Sequence, residues 1–107
     1  MKVYALVGQS GTGKSYKAHT LASEKGIEYI IDDGLFIKGN KIIAGVSAKK
    51  ESTKIAAVRR ALFIHPEHAR EVREAIRQVE PESVLILGTS ARMINRIISR
   101  LDLPPVQ

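Results

Sequence analysis

Short apolar runs and amphipathic stretches alternate along the chain. Lys2–Val7 (KVYALV) is apolar and stops at Gly8, as a strand buried between neighbours does. Residues 14–24 put Ala18, Leu21 and Ala22 on one helical face, and Gly26 follows as a stop signal. Residues 28–31 (EYII) predict a second strand that runs into Asp32-Asp33-Gly34. Leu35–Lys38 and residues 41–44 read as strand arms around Gly39-Asn40, a dipeptide suited to a two-residue hairpin turn.

Residues 45–51 read as a loop. Ser52 or Thr53 can then cap a helix on which Ile55, Val58 and Leu62 share a face. His65-Pro66 breaks the chain. Residues 67–79 give the clearest helical stripe, Ala69, Val72, Ile76 and Val79, with Glu67 and Glu71 near its N-terminal end. Pro81 ends it, and residues 84–87 (VLIL) predict a third buried strand. Thr89 or Ser90 can cap a last helix with Met93, Ile94, Ile97, Ile98 and Leu101 facing inward. Pro104-Pro105 stops it.

Strands alternating with helices predict an α/β domain: a parallel sheet, helices on both faces in three layers, right-handed crossovers, and a β-hairpin inserted after the second strand. The 107 residues make one domain, 1–107. An ending at Leu103-Pro104-Pro105 after three parallel strands reads as part of a longer protein.

Composition narrows the chemistry. With no cysteine there is no disulfide framework, thiolate metal site or cysteine nucleophile. No apolar run approaches the roughly 20 residues of a membrane span, and a cytoplasmic setting is expected. His19, His65 and His68 are not at zinc-ligand spacing, and Ser10, Thr12 and Ser15 have no histidine partner in a nucleophile motif. The net charge of +6 is concentrated: residues 38–60 hold Lys38, Lys41, Lys49, Lys50, Lys54, Arg59 and Arg60 against Glu51 alone. Such a block attracts phosphates, nucleic acid or an acidic partner, and otherwise serves as a solvated face. The aromatics, Tyr4, Tyr16, Tyr29, Phe36 and Phe63, are not interleaved with it, which argues against stacking on single strands. Duplex backbone binding needs no aromatics. Arg92, Arg96 and Arg100 form a second cationic stripe on the polar face of the last helix.

The sharpest signal is Gly8-Gln9-Ser10-Gly11-Thr12-Gly13-Lys14-Ser15, which matches G-x-x-x-x-G-K-[ST] at every fixed position between a strand and a helix. Glycines let the backbone curl its N–H groups around a phosphate, and the helix N-terminus adds partial positive charge. Lys14 would reach the β- and γ-phosphates, and the Ser15 hydroxyl would coordinate Mg²⁺. Asp32 and Asp33 end a strand at the same sheet edge and point to opposite faces. Asp32 is the candidate for the metal and for catalysis, and Asp33 for substrate or structure; Asp-Gly is also a turn signal. Arg59 is the candidate cation from a basic lid that would stabilise a transferring phosphoryl group.

With this loop the chain resembles the P-loop NTPase superfamily, which implies Mg²⁺-dependent binding of ATP or GTP. Residues 8–34 look like the opening of small metabolite kinases of the shikimate- and gluconate-kinase type. That resemblance implies an acidic pair for Mg²⁺ and a small-molecule phosphoryl acceptor; here the two acids are contiguous, where the shikimate-type pattern separates them by one residue. An alternative alignment likens Ile30-Ile31-Asp32-Asp33 to the hydrophobic-plus-acid element of AAA-type ATPases, in which Thr89 would sense the γ-phosphate. The Gly88–Ser90 and Leu103-Pro104 segments also resemble those of uncharacterised bacterial ATP-binding proteins. The expected function is nucleotide binding with phosphoryl transfer or hydrolysis. The alternatives are a non-catalytic switch that contacts a partner through residues 38–60, and a nucleic-acid-binding module.

Overall fold

In the computed structural model, which describes residues 1–9 and 13–107, three strands run parallel: β1 (Lys2–Val7), β2 (Tyr29–Asp32) and β5 (Ser83–Gly88). The last in sequence lies between the other two, with Val3 beside Val84 and Ile30 beside Leu85. β3 (Leu35–Lys38) and β4 (Lys41–Gly45) extend the same sheet antiparallel to β2, giving the order β1-β5-β2-β3-β4.

The sheet is therefore mixed, not the parallel sheet the alternation predicts. The reason is loop length: a parallel return needs a crossover of a dozen residues or so, whereas two-residue links can only fold back. Asp33-Gly34 joins β2 to β3 with both residues at positive φ, 50° and 86°, the geometry that suits a two-residue hairpin. Gly39-Asn40 joins β3 to β4 as the sequence predicts.

β5 is buried on both faces. Val84 and Ile86 join Val3, Ile31 and Phe36 beneath α3 (Pro66–Val79) and α4 (Ala91–Arg100). Leu85 and Leu87 join Ile27 and Ile30 beneath Ala18 and Ala22 of α1 (Lys14–Lys25). The small alanines on α1 leave its backbone free to approach the sheet closely.

Between β4 and α3 the chain makes a 3-10 turn, Ala48–Lys50, capped by Ser47, and then α2 (Lys54–Ala61), whose N-cap Thr53 accepts from the Ala56 amide at 3.1 Å. On α2, Ile55 and Val58 are 74% and 52% exposed, so the apolar face they share is open and the buried contact is made by Ala61. Eight residues with alanines inside give little apolar area to seat. At α4 the cap is Ser90, accepting from the Met93 amide at 3.1 Å, which leaves Thr89 outside the helix.

Candidate functional site

The three parallel strands end at one edge of the sheet, where α/β folds collect ligand-binding groups. β1 delivers Gly8, whose N–H donates to the Gly88 carbonyl at 3.1 Å and ties the glycine-rich loop to the end of β5. Ser10, Gly11 and Thr12 lie outside the described residues; Gly8, Gln9, Gly13, Lys14 and Ser15 lie within them. Gly13 takes φ 76°, a left-handed conformation that favours glycine, and turns the chain into α1. Among the described residues α1 has no side-chain cap, and it has no acid in its first turn to offset the positive end of its dipole.

The Lys14 ammonium donates to the Gly8 carbonyl at 2.9 Å. One residue on, the Ser15 hydroxyl donates to Oδ2 of Asp32 at 2.9 Å, across 17 positions of sequence. The two residues singled out as metal ligands thus meet in the fold. Among the described residues no three His, Cys, Asp or Glu side chains cluster.

Asp33 is the first residue of the β2–β3 turn, and its carbonyl accepts from the Ala48 amide at 2.8 Å. The residue also lines a cleft between α2 and α4. Burial raises the Asp33 pKa, the Asp32 charge adds to this, and the Lys49 and Lys14 ammonium groups pull it partly back. Lys14 and Lys49 therefore both act on the acid turn.

The basic segment is divided by the fold. Arg60 pairs with Glu51 at 3.0 Å, and Lys38 pairs with Glu28 at 3.5 Å while lying over the Tyr29 ring. Arg59 is exposed on α2 and is not among the residues that line the cleft.

Two residues that sequence reasoning missed hold that turn in place. His68 of α3 is buried, stacked on Phe63 with centroids 4.6 Å apart. Its Nε2 lies 2.8 Å from the Gly34 carbonyl oxygen and 3.2 Å from the Val46 amide nitrogen. The shorter contact requires the proton on Nε2. Nδ1 is buried with no partner. One turn along α3, Glu71 accepts from the Gly45 amide at 2.8 Å. The signal available in the sequence is spacing: His68 falls four residues before Val72 and eight before Ile76, on the buried stripe.

Compared with protein-family models, curated proteins and solved structures, the chain matches none.

Proposed function

We propose that the chain is a P-loop NTPase domain, three-layered about its parallel strands, that binds ATP or GTP with Mg²⁺ and passes the γ-phosphoryl group to a small acceptor or to water. The observation that carries this reading is the 2.9 Å hydrogen bond from Ser15 to Asp32. It joins the last residue of the phosphate-loop motif to the acid ending β2, two strands across the sheet from β1, at the spot where a hydroxyl and a carboxylate would share one hard cation. In this reading the loop amides and the start of α1 receive the phosphates. Lys14 exchanges the Gly8 carbonyl for phosphate oxygens. Ser15 and Asp32 hold Mg²⁺, which when bound with the nucleotide offsets phosphate charge.

Calorimetric titration with ATP, GTP and ADP tests it. Saturable binding is expected for the native chain. Lys14→Ala should weaken it at least about tenfold, and Asp32→Asn should remove most of the gain produced by adding Mg²⁺. Binding that is indifferent to both substitutions would overturn the reading.

A second reading, a nucleotide switch without turnover, has one observation in its favour. The Ala48 amide donates to the Asp33 carbonyl, so the start of the 3-10 turn in the basic segment is bonded directly to the acid turn. Product formation above that of Lys14→Ala decides for the enzyme.

A further inference from the structure

α2 and α4 differ from α3 in their charge. On α3, acids and cations are interleaved, and Arg70 is bracketed by Glu67 at 2.6 Å and Glu74 at 3.3 Å. Residues 52–62 and 89–101, which contain α2 and α4, hold no acid at all. Arg60 finds Glu51 outside the helix, at 3.0 Å. Lys54, Arg59, Arg92 and Arg96 are exposed and make no ion pair among the described residues. Lys54 and Arg92 also stand in the first turns of their helices, where the dipole disfavours a positive charge. Arg92 and Arg96, four residues apart, repel each other. A negative neighbour from outside would offset all three effects.

The same two helices leave apolar surface open between them. Ala57 and Ala61, one turn apart on α2, are small, and with Met93 of α4 they line a groove of about 400 Å³. Ile55 and Val58 are exposed on α2, and Val58 lines the groove. Lys54, Arg92 and Arg96 line it as well. Apolar area left in water drives association, and here cations from both helices accompany it. A nucleic-acid backbone would answer the charge but leave Ile55 and Val58 wet, and among the described residues the groove has no aromatic for a base to stack on. A second copy of this chain lacks the complementary element. Its acid-rich helix, α3, turns its apolar stripe into the core and pairs Glu67 and Glu74 with Arg70.

We propose that this face docks an acidic amphipathic helix from a partner protein. Apolar side chains of that helix, spaced i, i+4 and i+7, enter the groove over Ala57, Val58, Ala61 and Met93. Its flanking carboxylates meet Lys54 on α2 and Arg92 and Arg96 on α4, where arginine forms charge-assisted hydrogen bonds. α2 has eight residues and is about 12 Å long, so it holds two turns of the docking helix. Met93 is unbranched and adjusts to the entering side chain. None of this rests on nucleotide binding.

The probe is a synthetic peptide of about 14 residues with leucine at i, i+4 and i+7 and glutamate on its other faces, titrated into the ¹⁵N-labelled chain. One control has the same residues with the leucines scattered around the helix, and another has lysine for every glutamate. Saturable amide shifts are expected at Ala57, Val58, Ala61 and Met93. The scattered peptide should bind at least about fivefold more weakly, and the lysine peptide should not bind. Val58→Asp should weaken the acidic peptide. Arg92→Glu/Arg96→Glu should weaken it at least about tenfold and bind the lysine peptide instead, a gain that a misfolded chain cannot show. Lys14→Ala should bind the acidic peptide as the native chain does, whatever its ATP titration shows. No saturation by about 1 mM, or equal affinity for the scattered peptide, overturns the proposal. Tighter binding of a short DNA duplex at the same amides overturns it too.

Discussion

His68 illustrates how one buried side chain can govern a site it never touches. Its ring bonds the carbonyl of Gly34, the residue directly after the acid pair, from a position 34 residues further along the chain. Burial lowers its pKa below the ordinary 6.5, with the Arg60 and His65 charges acting in the same direction and the Gly34 bond and Glu71 opposing. The folded ring thus holds a second proton less readily than the unfolded one. Its contribution to stability is complete above the unfolded pKa of 6.5 and is lost as the pH falls from there through the lower folded value. His68→Gln keeps an N–H for the Gly34 carbonyl but cannot titrate. Its melting temperature should change less than that of the native chain between about pH 7.5 and 5. Parallel curves would show that protonation of this ring does not matter. Lys14, Ser15 and Asp32 stood out in the sequence because a contiguous motif and a strand end mark them, and the fold brings Ser15 and Asp32 into contact. His68 was not, because a lone histidine on an apolar stripe says nothing of the distant carbonyl it will meet.

At the scale of elements, the β2–β3 turn and the end of β4 are built as one joint. A Cβ on Gly34 would strike the Val46 carbonyl oxygen, and a Cβ on Gly45 would strike the Gly34 carbonyl oxygen; both residues have positive φ. Gly39, in the other hairpin turn, also has positive φ but has nothing within 4 Å of a Cβ. Gly45→Ala should therefore cost about 2 kcal/mol or more, combining backbone strain with collision, and Gly39→Ala about 1 kcal/mol from strain alone. Urea denaturation of both variants measures the difference, and equal losses would mean that the joint yields. The hairpin arms and the Gly39-Asn40 turn were readable from local pattern. Residue 43 was not readable as an irregularity: the register shift between Phe36 and Ile37 arises from pairing, which no single strand records. α2 shows a related limit. Its apolar spacing is helical, but spacing states only that a face exists, and Ile55 and Val58 found no neighbour to cover them.

For the whole molecule, the α/β class was legible and the strand order was not. The apolar run of β5 is what a strand covered on both faces requires, but nothing in it tells that it will sit between β1 and β2. That choice follows from where the helices pack: α1 covers Leu85 and Leu87, while α3 and α4 cover Val84 and Ile86. It also leaves β1 unequally supported. β5 lies along one side of it, and on the other there is a single bridge from Val106 to Val3, with the Gln107 amide donating to the Val3 carbonyl at 2.8 Å. Amide hydrogen exchange should accordingly be slowest in β5, which has a ladder on each side, and faster in β1. β1, one of the two edge strands, carries the glycine-rich loop, so a ligand seated in that loop would act as a rivet through the seam. On adding ATP and Mg²⁺, protection should rise along β1 well beyond the residues in contact, and holding the nucleotide and holding the sheet together become a single equilibrium.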